Sequence, residues 1–251
     1  MERPKYITRL VIIVNIFLFS IQLSFSQSPY RDPIYKAYSR GKMDVWYTLM
    51  NTCEKNIDTN NFDEQLELIS YYYGYTAWLI GAKKFDIAED YIDKSEEIID
   101  ELLDKSPGNA TLNAYKGAYI AFTIGISNYK AIYLGRKSMK YIDRSIELDP
   151  DNIQGNIEKG NSMYYRPSIF GGDKAAAIKY YINAVESFEK QGLVVNNWMY
   201  INTMTALGQA YEATDQIQLA KLCYEKIMRI FPNFMWVEDE LYPDMLKRNN
   251  L

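Results

Sequence analysis

Residues 204–232 contain, in order, Met204, Leu207, Gly208, Tyr211, Ala220, Tyr224 and Pro232. At the 3.6-residue period of an α-helix, Met204, Leu207, Gly208 and Tyr211 share one face. Ala220 and Tyr224 share a face of a second helix. Pro232 stops that helix, because proline has no amide proton to donate. The spacing predicts a helical hairpin. Two antiparallel helices approach closely only where side chains are small, so Gly208 and Ala220 are expected at the crossing. A hairpin of this kind leaves an apolar face that only a neighbouring hairpin can bury, so one such unit implies a stacked array.

Apolar residues recur at helical spacing through most of the chain, and alternating strand patterns are scarce. Helices are expected near 43–57, 62–81, 85–104, 110–127, 129–148, 153–165, 174–190, 197–213, 216–230 and 237–247. Turn clusters with capping residues separate them at Ser106-Pro107-Gly108-Asn109 and Asp149-Pro150-Asp151-Asn152. Asp173 and Asp215 are expected to cap the helices that follow them.

The hairpin pattern recurs with variations. Gly160 takes the place of Gly208, followed by Ala177 and Tyr181. Gly117 precedes Ser138, Ile142 and Pro150. Tyr72, Tyr75, Thr76 and Leu79 precede Ala88, Ile92 and Ser95, with about two extra turns before Pro107. Gly160 and Gly117 are expected to make the other crossings, with Ala177 and Ala88 among the residues opposite.

On these residues the chain resembles tetratricopeptide repeat proteins. The strongest match is Leu207-Gly208-x-x-Tyr211, Ala220, Tyr224 and Pro232. Ser145-Ile-Glu-Leu-Asp-Pro150 and Gly172-Asp-Lys-Ala-Ala-Ala-Ile178 are similar to second-helix ends and starts in that family. The resemblance implies an all-α fold of stacked antiparallel hairpins, a TPR-like superhelix irregular in its middle. It implies a non-catalytic scaffold that binds a protein or peptide. A narrower segment, Tyr164-Tyr165-Arg166-Pro167-Ser-Ile-Phe170-Gly171-Gly172-Asp173-Lys174, is similar to exported bacterial TPR-like proteins. These include the T component of tripartite ATP-independent periplasmic transporters. That similarity implies a bacterial periplasmic location and, as the alternative function, a solute-binding accessory part of a transport system.

The N-terminus carries its own signal. Arg3, Lys5 and Arg9 precede a mostly apolar run from Leu10 to Leu23, and Ser24 and Ser26 supply small residues before Gln27. This reads as a secretory signal peptide over 1–26. The apolar run is short of the ~18–20 residues that span a bilayer, so no stable membrane insertion is expected after cleavage. The expected organisation is then 27–68 as an N-terminal helical segment, 69–232 as about four repeats, and 233–251 as a C-terminal capping helix. Removing 1–26 takes away Arg3, Lys5, Arg9 and Glu2, and the formal net charge moves from −4 to −6. With no basic run, nucleic acid is not an expected partner. Cys53 and Cys223 allow one disulfide in an oxidising compartment, but their separation along the array favours two buried thiols.

The chain has no histidine, which removes the commonest general base and zinc ligand. No catalytic, metal or cofactor site is expected. The acidic run Glu96-Glu97, Asp100-Glu101 and Asp104 has no calcium-loop glycine and reads as a solvated helix face. A concave surface on the first helices would carry Tyr73, Ala77, Ile80, Ala118, Ala121 and Phe122. It would continue through Gln154, Ile157, Asn161, Tyr164 and Tyr165 to Asn202, Thr205, Gln209 and Glu212. Amides beside aromatics suit a peptide or a small polar ligand. Arg166 has two readings: a residue facing an anion over the groove mouth, or part of a turn in which Pro167 ends one helix and Asp173 starts the next.

Overall fold

The structure, a computed structural model, describes residues 28–251, and the segment read as a signal peptide lies outside them. It is all-helical, with α1 (Arg31–Ser39), α2 (Met43–Asn56), α3 (Phe62–Gly81), α4 (Phe85–Lys105), α5 (Ala110–Ile126), α6 (Ala131–Leu148), α7 (Ile153–Tyr165), α8 (Lys174–Lys190), α9 (Trp198–Glu212), α10 (Ile217–Ile230) and α11 (Tyr242–Arg248). There is no strand among the described residues. Helices α3 to α10 form four antiparallel hairpins in chain order, and neighbouring hairpins stack through the second helix of one on the first helix of the next, with α5 and α7 also packed directly together.

An asparagine starts each of those first helices. Asn61, Asn109, Asn152 and Asn197 accept hydrogen bonds from the first free amides of α3, α5, α7 and α9. Asparagine suits this place because its carbonyl replaces a partner that the first turn lacks. Two of the turns repeat a second device. Asn113 Nδ2 donates to the Pro107 and Asn109 carbonyls at 3.1 and 2.8 Å. Asn156 Nδ2 donates to the Pro150 and Asn152 carbonyls at 2.8 and 2.9 Å. The Asn152 amide also donates to Thr111 Oγ1 at 3.0 Å, so α5 and α7 begin side by side and run the same way.

The glycines sit at crossings, but what they face differs from expectation. A Cβ on Gly208 would lie 2.5 Å from Cε1 of Tyr224, and one on Gly160 would lie 2.6 Å from Cε1 of Tyr181. Each glycine is a seat for a tyrosine ring one turn beyond the expected alanine. Ala220, Ala177 and Ala88 are fully buried. Gly117 faces Ile142 and the backbone of Ser138, and the Ser138 hydroxyl donates to the Gly117 carbonyl at 2.8 Å. An aromatic ring fills more of the space between two helices than a methyl does, so the small residue is needed beneath the ring. Leu207 is buried and Tyr211 half-buried beside this crossing. Pro232 is exposed just past the end of α10.

The N-terminal helical segment packs on the first hairpin. Ile34 and Ala37 of α1, and Trp46 and Met50 of α2, share one core with Leu68, Tyr72 and Tyr119. The short helix α1 has no counterpart in the expected set, since nine residues containing Pro33 give little periodic signal. A second core joins α7 to α10 with Phe231, Phe234, Val237 and Met245, so the C-terminal segment covers the last hairpin. That segment is a π-helical turn (Trp236–Leu241) leading into α11, not one helix over 237–247. Pro243, in the first turn of α11, lacks the amide that a continuous α-helix would use.

Both cysteines are free and buried, and burial pushes each thiol up to about 12. The acidic run is partly paired. Lys116, almost wholly buried, reaches Glu96 at 3.0 Å and Asp100 at 2.7 Å. No described helix is long and apolar enough to cross a membrane.

Candidate functional site

The concave face is built from α3, α5, α7 and α9, and much of it is closed by the chain itself. Helix α1 lays Tyr38 across the space between the first hairpin and the last. The Tyr38 ring lies 5.9 Å from Trp46, 5.7 Å from Trp198 and 5.4 Å from Phe234. Trp46 and Trp198 meet edge to face at 5.0 Å. Gly74 makes room for this, since a Cβ there would lie 2.8 Å from each of the two indoles. The Tyr38 hydroxyl donates to Asn202 Oδ1 at 2.8 Å, so the polar end of this plug is satisfied.

Behind the plug lies a buried polar cluster. Glu158 is 4% exposed and Gln154 is 3% exposed. Gln154 Nε2 donates to Glu158 Oε1 at 2.7 Å. Asn161 Nδ2 donates to the Tyr73 hydroxyl at 3.2 Å, and the Tyr181 hydroxyl donates to Asn161 Oδ1 at 2.9 Å. Burial raises the Glu158 carboxyl to about 7, against hydrogen bonds from Tyr73, Asn161 and Gln154 that favour its charged form. Glu158 makes no ion pair with a described residue, and the neighbouring Lys159 turns outward to Asp143.

The expected groove residues therefore divide. Tyr73, Gln154 and Thr205 are buried, and so are Ala118 and Ile157. The Thr205 hydroxyl donates to the Ile201 carbonyl inside its own helix at 2.8 Å, so it faces no ligand. Asn161, Asn202 and Gln209 are half-buried, the first two within the bonds just given. Glu212 takes both Arg248 Nε and Nη2, at 3.0 and 2.7 Å. Ala77 and Ala121 are exposed, with Ile80 and Phe122 between exposed and buried.

What stays open lies at the C-terminal end of α7. Tyr164 is half-buried and Tyr165 is 69% exposed, and their rings meet edge to face at 4.8 Å. Lys174 Nζ stands 5.1 Å over the Tyr164 ring. With Arg166, Pro167, Ser168, Gly172 and Asp173 they line a pocket of about 490 Å³ that is open to solvent. The loop around it is tightly specified. Arg166 Nη2 donates to the Gly171 carbonyl at 2.9 Å. Gly171 has φ +86°, and a Cβ on Gly172 would fall on the Arg166 carbonyl. Asp173 accepts from the amides of Ala175 and Ala176 at 2.9 and 3.0 Å. The guanidinium of Arg166 is thus fixed by the turn, and its other face borders the pocket.

A second, smaller pocket of about 260 Å³ lies where the starts of α3, α5, α7 and α9 converge, lined by Leu66, Tyr115, Ile153, Gln154, Phe188 and Met199 among others. No group of three His, Cys, Asp or Glu side chains among the described residues is arranged to hold a metal ion.

Sequence reasoning placed Tyr164, Tyr165 and Arg166 together at this loop. It missed Trp46, Trp198, Tyr38 and Glu158. A signal for the first two was present in Gly74, a glycine inside a run of tyrosines and inside a helix.

Residues 201–234 match a family described as Tetratricopeptide repeat. No curated protein matches the chain. The matched residues span α9, α10 and the turn after them, the hairpin in which Gly208 seats Tyr224. Repeats of this kind serve as protein–protein interaction scaffolds and are typically non-catalytic. With that match in its most regular hairpin and three more helical hairpins stacked before it, the chain has an all-α, tetratricopeptide-repeat-like fold.

Proposed function

We propose that this protein is an exported, non-catalytic scaffold of a bacterial envelope, most naturally the periplasm, and that it captures a segment of a protein partner. The observation that carries this reading is the open pocket beside the 166–173 turn. Its walls are a tyrosine pair, a lysine over one ring and a fixed arginine, on a rigid helical frame. Tyrosine and arginine dominate protein-recognition surfaces, because they offer large contact areas with a polar end. The pocket opens to solvent, so a chain segment can lie in it and continue past both ends. An enclosed cavity would instead suit the alternative, a solute-binding accessory to a transporter.

Site-specific photocrosslinking in cells tests the reading. A benzoylphenylalanine at Tyr165 is expected to give a discrete protein adduct, and one at exposed Val195 is not. Equal labelling at both positions, or none, would refute it. Stabilisation of the purified protein by a small anionic solute, lost in Tyr164→Ala, would favour the transport reading instead.

A further inference from the structure

Two connections project from one edge of the array and carry exposed apolar side chains. Helices α5 and α7 start side by side and run the same way, so the turns that follow them emerge at the same edge. Helix α6 packs on α7, with the Ser162 hydroxyl 2.8 Å from the Met139 sulfur, which sets the two tips next to each other. The first tip exposes Tyr129 by 67%, Ile132 by 83% and Tyr133 by 60%, and the second exposes Ile169 by 86% and Phe170 by 63%. Scattered apolar residues at a surface are ordinary, but five large ones on two adjoining tips are not.

The charge around these tips is opposite to that of the whole chain. The chain is acidic, at net −4, yet it contains no Asp or Glu from Lys105 through Ile142, nor from Lys159 through Gly172. Lys130, Arg136, Lys137, Lys140 and Lys174 make no ion pair with any described residue. The acidic group between the tips and α8 is Asp173, and it is held as the helix cap. The axial spacing also fits a layered partner. At 1.5 Å rise per residue, Arg136 and Lys137 stand roughly 6–8 Å behind Ile132, and Lys140 about 12 Å behind it. The headgroup layer of a bilayer is roughly 5–8 Å thick on each side of the hydrocarbon. Helices α6 and α8 also begin at this edge, so their positive dipole ends point the same way.

We infer that this edge of the array docks on an anionic lipid bilayer, with Ile132, Ile169 and Phe170 at the acyl boundary, Arg136 and Lys137 among the phosphates and Lys140 just outside them. The apolar groups protrude from two tips rather than line a groove, which suits a soft surface better than a folded protein. Tyrosines beside them suit the interfacial layer. The second tip adjoins the tyrosine pocket, since Ile169 and Phe170 lie between the pocket-lining Ser168 and Gly172, whereas the first tip lies outside it; docking at the interface spans no membrane.

Vesicle binding of the full chain tests it, with one added tryptophan per variant read as the difference from wild type, which has four tryptophans of its own. Ile132→Trp and Phe170→Trp are expected to gain a blue-shifted emission on phosphatidylglycerol-containing vesicles. Val195→Trp, on the α8–α9 connection at the opposite edge, is expected to show no shift, which separates the tips from any effect of the N-terminal segment. Converting Lys130, Arg136, Lys137 and Lys140 to glutamine should weaken binding to anionic vesicles by tenfold or more, and raised salt should do the same. The substituted side chains are exposed or half-buried, and an unchanged thermal melt confirms folding. Equal shifts at all three reporters would overturn the inference, as would equal binding to phosphatidylcholine. A wild-type dimer in lipid-free sedimentation that Ile132→Glu/Phe170→Glu dissolves would overturn it in favour of contact between copies.

Discussion

Gly208→Ala tests the central packing claim, because two opposing effects have known sizes. Replacing glycine by alanine inside a helix ordinarily stabilises by about 1 kcal/mol. At 208 the new Cβ would sit 2.5 Å from Cε1, 3.0 Å from Cδ1 and 3.1 Å from Cζ of Tyr224. Carbon atoms pack comfortably at ~3.5–4.0 Å, so the ring must retreat by about 1 Å. Tyr224 is fully buried, so the ring cannot move without moving α10. Overpacking of this kind costs about 1–3 kcal/mol. The net expectation is a loss of about 1 kcal/mol, read as a drop in the urea midpoint of roughly 0.5 M with an unchanged slope. The matched control is Gly135→Ala in α6, where a Cβ meets nothing within 4 Å. There the helix term stands alone, and a gain of roughly 0.5–1 kcal/mol is expected. Adding Tyr224→Leu should remove most of the penalty at 208, giving a coupling of about 1 kcal/mol or more in the double-mutant cycle. If Gly208→Ala stabilises as much as Gly135→Ala, the ring-in-seat account is wrong.

Other consequences can be checked separately. Glu158 is raised to about 7 from an ordinary 4.5, so the folded state holds its proton more tightly than the unfolded chain does. Its contribution to stability is therefore full below about 4.5 and is lost as pH rises through about 7. Glu158→Gln should gain on wild type across that window by about 3 kcal/mol at most, and parallel stability–pH curves would contradict this. Asn152→Ala removes the α7 cap and the bond to Thr111, and should cost about 1–2 kcal/mol in chemical denaturation. Cys53 and Cys223 should resist thiol reagents in the native protein and both react in urea, because buried thiols with raised pKa values offer little thiolate. Rapid native labelling of either would refute that.

The hairpins were legible because their information is local. Helical period, asparagine before the first apolar residue, and proline after the last each act within a few residues. The same locality explains what the spacing leaves out at the crossings. A small residue at 208 and another at 220 both signal close approach, but only the packed structure shows that Gly208 lies under Tyr224. The closure of the concave face was not legible at all. It depends on Tyr38 reaching Asn202, 164 residues away, and on Trp46 meeting Trp198. No spacing rule links such positions. Helix α1 was missed for the same reason, since its stability comes from where it docks. Glu158 was overlooked because its inward direction follows from the rotation of α7, which the seating of Tyr181 against Gly160 helps to set.

That closure bears on where recognition can occur. A regular array of this family offers its groove, but here Tyr38, Trp46, Trp198 and the Glu158 cluster occupy much of it. A partner then has the rim and the ends of the array. The departures from the regular repeat fall on that rim, at the turns of the two middle hairpins. The turns after α3 and α9 are short, three and four residues. The turns after α5 and α7, on adjoining hairpins, hold 3₁₀ segments at Asn128–Lys130 and Ser168–Phe170. A stack does not need the eight-residue turn after α7 to bury its core, and both turns expose apolar side chains. Lengthening the turn after α7 and placing exposed apolar side chains on it and on the neighbouring turn after α5, while filling the groove, moves the available surface from the inside of the superhelix to its rim.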